Sequence, residues 1–203
     1  MSTDRFDGWI AGLGTGSGLR AVIGIWPRSP LGSFADVMVE RADGHRMLLA
    51  PSPDVADFVA ATYTFDEVRI GPVETSTDGT RWRVTAGPLE VDFTVGRRAA
   101  LGWLLRSVPT PLRTSPAWIS AIDVVARRVL PGVRTRGSAV GGREEFYGAQ
   151  DLHGITAATV SWEGTDQGAL SPVDPPVRFG FGSTPRAPSF TRVTTLVRRP
   201  DDP

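Results

Sequence analysis

The stretch GGREEFYGAQDLH, residues 141–153, gathers Arg143, Glu144, Glu145, Tyr147, Gln150, Asp151 and His153 around an aromatic pair. Such groups do acid–base chemistry when burial and neighbours set the pH at which they exchange protons. Glu145, Asp151 and His153 are the candidate acids and bases here, with Arg143 and Tyr147 as candidate ligand contacts. A further candidate acid, Asp36, stands in FADVMVE. If Ala35, Val37 and Val39 face a core, then Phe34, Asp36, Met38 and Glu40 share the opposite face, which is either the outside of a sheet or the lining of a cavity. The plainer reading of 141–153 is a solvated hairpin laced with surface ion pairs.

Much other chemistry is excluded by composition. All 22 basic residues are arginine, so lysine Schiff bases, lysine general bases and phosphate-binding P-loops are absent. With no cysteine there are no disulfides, thiolate nucleophiles or thiolate-bound zinc. Only His45 and His153 are left as imidazole ligands, so neither a metal nor a cofactor is expected. No GxSxG elbow marks a serine hydrolase. The 22 arginines balance 22 acids without a long block of one sign, which argues against nucleic acid as a partner. No apolar run approaches the roughly 18 residues of a membrane span. The start, MSTDRFDGW, lacks the basic and apolar regions of a signal peptide, so the expected compartment is the cytoplasm.

The glycines at 12, 14, 16 and 18 invite comparison with a dinucleotide-binding loop. Position six of the fingerprint is Ser17 counted from Gly12 and Leu19 counted from Gly14, and a β-branched run follows where a helix is required. The stretch reads instead as a flexible turn before a first long strand, RAVIGIW.

The elements that must position the candidates are mostly strands. SFADVMVE and HRMLLA flank a turn at Asp43-Gly44, and DEVRIGPVET, TRWRVTA and LEVDFTVG continue as a meander with turns at Asp78-Gly79 and Gly87-Pro88. VRTRGSA, ITAATVSWEG, VRFGFGS and FTRVTTLVRR bring the count to nine or ten strands. Val22, Ile23, Ile25, Val37, Val39, Leu48, Val84, Val91, Phe93 and Trp162 are the expected core. The expected fold class is mainly β: an antiparallel β-barrel or barrel-like sandwich with two or three short helices, in one domain over 1–203. One helix starts at Ser52-Pro53, with Val55, Phe58, Val59 and Thr62 on one face. A helical insertion spans about 97–131. Its first helix, RRAALGWLLRSV, is apolar nearly all round and must be covered, and its second starts at Ser115-Pro116. Trp103 and Leu105 of the first helix are candidate ligand contacts if it forms a lid, or interface residues if a second copy covers it.

GREEFYGAQDL resembles the arginine/acid, aromatic-glycine, aspartate string of lipocalin-like barrel proteins of the AttH and carotenoid hydratase kind, with Tyr147-Gly148 where those have tryptophan-glycine. That resemblance implies apolar-ligand binding in a barrel. SPLGSFADVMVE is similar to the glycine-aromatic-acid strand of acetoacetate decarboxylase-like proteins and places Asp36 at the acid, although their chemistry depends on a lysine that this chain lacks. The expected function is binding of a small, largely apolar molecule in a β-barrel cavity. The alternatives are an enzyme using the same cavity for acid–base chemistry, and a dimeric interaction protein without a small ligand.

Overall fold

The computed structural model describes residues 3–109, 136–138, 144–180 and 184–198. The chain is mainly β, with two helices among the described residues and one strongly curled, mostly antiparallel sheet forming a half-barrel. Its first five strands are β1 (Thr3–Thr15), β2 (Arg20–Arg28), β3 (Phe34–Glu40), β4 (Arg46–Ala50) and β5 (Glu67–Ile70). A second run comprises β6 (Val73–Thr77), β7 (Arg81–Ala86), β8 (Leu89–Arg98), the short β9 (Arg136–Ser138) and the long β10 (Glu144–Trp162). Two-residue pieces β11 (Thr165–Asp166) and β12 (Leu170–Ser171) precede β13 (Ser189–Arg198). The main strand order is β5-β4-β3-β2-β1-β13-β10-β8-β7-β6, so β13 is the seam between two meanders. Gly71-Pro72 carries the chain from one edge of the sheet to the other.

Period-two alternation assigns each side of β1–β4 its own core. Ile23, Ile25, Val37, Val39, Met47 and Leu49 pack with Val84, Val91 and Phe93 from the far end of the sheet, which makes this the inside of the curl. Trp9 and Phe190 stack there with centroids 4.7 Å apart, and Trp82 closes on Phe190 at 5.3 Å. The inside is filled by side chains. On the outside, Phe6, Ile10, Val22, Trp26, Met38 and Leu48 form a second core beneath α1 (Pro53–Ala60) and the irregular segment 172–179. Of the ten residues expected in the core, nine are buried, and Trp162 is partly buried against the inner cluster.

Helix α1 follows the sequence reading. Ser52 Oγ accepts from the Val55 N–H at 3.4 Å, Pro53 occupies the first turn, and Val55, Ala56 and Val59 face the sheet. Because α1 crosses between β4 and β5, these two strands pair in parallel, a local exception to the expected antiparallel pattern.

Four local expectations change. The glycine-rich stretch is not a turn before the first strand, since β1 runs through Gly12 and Gly14 and only residues 16–19 turn. A Cβ at Gly12 would collide with Thr184 and one at Gly14 with the Pro172 carbonyl, so the spacing of two records a crossing segment pressed against one face of a strand. VRFGFGS does not form a strand: Val177 and Phe179 are buried in an irregular segment, and residues 181–183 lie outside the described residues. From Glu144 onward the 141–153 cluster lies within the long strand β10 rather than between two strands; its first residues, 144–146, pair back with β9 as a hairpin, and the rest run through the middle of the sheet. In the expected insertion, α2 (Ala100–Ser107) forms and buries Gly102 and Leu105, while Trp103 and Leu104 are each 62% exposed. The helix is therefore covered on one side only. The Ser115-Pro116 helix lies outside the described residues.

Candidate functional site

A cavity opens on the outer face of the sheet, between the strands and α1, with about 50 Å³ open to the centre of a water-sized sphere. That is room for a few water molecules or a small organic group. Its floor comes from β1, β2, β3, β10 and β13, and its roof from Phe58 and Val59 of α1 and the following Thr62 and Tyr63. Phe6 anchors the aromatic floor, 5.9 Å from Trp26, 6.4 Å from Phe34 and 4.9 Å from Phe58, ring centre to ring centre.

Two polar features interrupt this apolar lining. On β3, Asp36 is only 4% exposed, and its Oδ1 accepts one hydrogen bond, from Trp26 Nε1 at 3.0 Å. Gly24, opposite Asp36 in the β2–β3 register, makes that bond possible, because a Cβ there would collide with the indole nitrogen and approach Oδ1 to 2.5 Å. Burial pushes the Asp36 carboxyl up to about 7, against the pull of the indole N–H. On the far side, the Tyr63 and Tyr147 hydroxyls are hydrogen-bonded at 2.7 Å. Thr195, which faces Phe6 on one neighbouring strand and Tyr147 on the other, buries an Oγ1 with no hydrogen-bond partner among the described residues. Three strand spacings, about 14 Å, separate β3 from β13.

The other buried acids are committed to arginine. Glu40 is fully buried; its carboxylate accepts from the Arg178 N–H at 2.7 Å and Arg178 Nε at 2.9 Å and meets Arg20 Nη2 at 3.3 Å. This triad fastens segment 172–179 to the sheet. Asp151 faces Arg98 Nε at 2.7 Å, Arg106 Nη1 at 3.6 Å and His153 Nε2 at 3.5 Å. Burial raises the Asp151 carboxyl, but the Arg98 hydrogen bond, the Leu152 N–H and the charges of Arg98 and His153 outweigh it and hold the group below the usual carboxylate range. A carboxylate so bound is a poor proton acceptor. It docks α2, whose Gly102 lies so close that a Cβ would come within 2.9 Å of Asp151 Oδ1.

The expected site residues therefore separate. Asp36 and Tyr147 line the cavity. Asp151 and His153 sit at the α2 dock, and the imidazole Nδ1 lies 3.1 Å from the Gly96 carbonyl. Trp103 lies outside the cavity with its ring 4.5 Å from the Arg98 guanidinium, and Leu105 is buried without lining it, so α2 is no lid over this space. Arg143 lies outside the described residues, and of Glu145 the structure describes the backbone alone, opposite Val197. The sequence reading missed Tyr63, Thr195, Phe6 and Phe58. Thr195 carried a signal, a hydroxyl inside the apolar run VTTLV. Among the described residues no cluster of three or more His, Cys, Asp or Glu is placed to hold a metal, and no helix is long and apolar enough to cross a membrane.

No protein-family model matches the chain, and no curated protein matches it. Among solved structures it is similar to an acetoacetate decarboxylase from Legionella pneumophila subsp. pneumophila, at 8% identity and a TM-score of 0.45 over 97% of this chain and 84% of that one. It is also similar to a candidate AttH from Nitrosomonas europaea, at 14% identity and a TM-score of 0.32 over 99% of this chain and 53% of that one. Likeness at this distance assigns no family and carries neither a reaction nor a substrate.

Proposed function

We propose that the chain binds a small, largely apolar molecule in the slot beneath α1. The observation that carries this reading is the lining: aromatic and aliphatic walls interrupted by a few polar groups that the protein itself leaves underused, Asp36 with one hydrogen bond and Thr195 Oγ1 with none. A pocket of this composition holds the ligand body by burial and fixes its orientation by the polar groups. The slot lies on the outer face of the sheet, away from the inner face where Trp9, Phe93 and Phe190 pack together. Native mass spectrometry of the protein isolated from its source should show a retained small molecule. Val59→Trp, which builds an indole down into the slot, should release that molecule and its thermal stabilisation, which is about 2.7 kcal/mol at a ligand concentration 100 times Kd. Retention of the same molecule by the filled variant would place binding elsewhere.

Acid–base catalysis in the same slot is a second reading. It rests on Asp36 alone, a carboxyl whose proton exchange burial has moved to about pH 7. It predicts that Asp36→Asn loses turnover of the co-purified molecule even at concentrations that saturate the variant.

A further inference from the structure

Among the described residues, buried acids come with arginines, except one. Glu40 meets Arg20 and Arg178, and Asp151 meets Arg98 and Arg106. Asp36, equally buried, has only the neutral indole of Trp26 as its hydrogen-bonded neighbour, and no ion pair is formed to it among the described residues. A carboxylate removed from water without a counter-charge is unfavourable, and it is relieved either by a proton or by a cation brought from outside. The indole N–H favours the charged form, and Gly24 is the residue that lets the indole reach it. The surroundings are also those that attract a cation. Phe6, Trp26, Phe34 and Phe58 turn aromatic surface into the slot, and ring faces stabilise an ammonium that has lost its water. Among the described residues no arginine or histidine lines the slot to repel such a guest, and the other titratable groups there are the phenols of Tyr63 and Tyr147.

Resting on the reading of this slot as a ligand pocket, we infer that its ligand is a small organic cation, an amine on an aromatic or branched aliphatic body, with the nitrogen at Asp36 and the body among Phe6, Trp26, Phe34 and Phe58. The amine supplies the counter-charge that arginine supplies to Glu40 and Asp151. The occupied slot carries no net charge: a protonated amine meets the carboxylate, or a neutral amine takes the proton of the acid. The Thr195 hydroxyl and the tyrosine pair, on the opposite side, suit a second, uncharged polar group on a longer ligand.

The test uses matched probes on the whole chain: benzylamine against benzyl alcohol and benzoate, and isobutylamine against isobutanol, each titrated by calorimetry at pH 8. The expected result is that each amine binds at least tenfold more tightly than its alcohol, with benzoate weakest. Asp36→Asn, which keeps the size and the acceptor for Trp26, should remove that preference, each amine then binding no more tightly than its alcohol. If alcohols and amines bind alike to the unaltered protein, the cation inference fails and the apolar pocket stands. If none of the five probes binds, both fall. Because the ranking on the unaltered protein decides the matter, a variant that does not fold leaves the test intact.

Discussion

The two faces of strands β1–β4 are both buried, yet they are built to different ends. Odd-numbered residues of β3, namely Ala35, Val37 and Val39, enter the inner cluster of aliphatic and aromatic side chains. Even-numbered residues of the same strand, Phe34, Asp36, Met38 and Glu40, face outward and mix one ring, a thioether and two acids. The inner face is closed by the sheet itself, far end against near end. The outer face is closed by parts added from elsewhere, α1 and segment 172–179, and a joint between unlike parts leaves gaps where a sheet curled on itself does not. The difference teaches that curvature made the core and the covering made the site.

The contrast breaks most visibly at the inner face. Phe93→Ala should cost about 3–5 kcal/mol in urea unfolding, the usual range for deleting a buried ring, and leave amine binding by the folded fraction unchanged. A loss of binding at equal foldedness would show that the two faces are not independent. On the outer face, Glu40→Gln strands Arg20 and Arg178 beside a neutral amide and should also cost about 3 kcal/mol, the lower part of the range for breaking a buried ion pair. It should loosen segment 172–179 first, seen as faster amide exchange at Arg178, whose N–H binds the carboxylate.

Asp36 sharpens the contrast through pH. The folded carboxyl keeps its proton to about pH 7, whereas the unfolded one releases it near its ordinary value of 3.8. The stabilisation from the protonated form is thus complete below pH 3.8 and is lost as pH rises through 7, at up to about 1.4 kcal/mol per pH unit in between. Asp36→Asn should flatten that slope in unfolding experiments at pH 5, 6 and 7. An unchanged slope would show that the carboxyl is not held neutral by burial. Tyr147→Phe, which removes one hydroxyl from the pair at 2.7 Å, should cost about 1 kcal/mol. The smallest effect belongs to Trp103→Ala, which should shift stability by no more than about 0.5 kcal/mol and leave probe binding alone, because the ring is mostly exposed. If sedimentation instead shows a dimer lost in this variant, the exposed face of α2 is an interface.

Local rules read local structure well here. Ser52-Pro53 announced α1, Asp43-Gly44 its hairpin with Gly44 at φ +88°, and alternation in β8 its one buried face. The sequence singles out Asp36, on a face that is either the outside of a sheet or the lining of a cavity. It proves to be both, since the outer face is itself covered. What the sequence hides is non-local. Nothing in the residues around Asp36 tells that Val177 and Phe179 will lie over the same face, or that Tyr63, after α1, will meet Tyr147 across 84 positions. The grouping of Asp151 and His153 with Tyr147 failed for a related reason. On a strand they are close in sequence, but the irregularity between Ala149 and Asp151 and the dock of α2 give them separate surroundings.

The seam strand β13 bears on how the protein is made. Residues 189–198 pair with β1 on one side and β10 on the other, so the earliest and latest described strands are neighbours. A nascent chain on the ribosome completes both meanders while each still shows a bare edge, and the two halves join only when residues 189–198 emerge. Pairings that span nearly the whole chain are slow to form, and open edges recruit wrong strands meanwhile. Synthesis stalled before residue 189 should therefore yield aggregates or chaperone-bound chains rather than a smaller folded half. The slot, whose Thr195 and Val197 lie on β13, is complete only once that strand has paired.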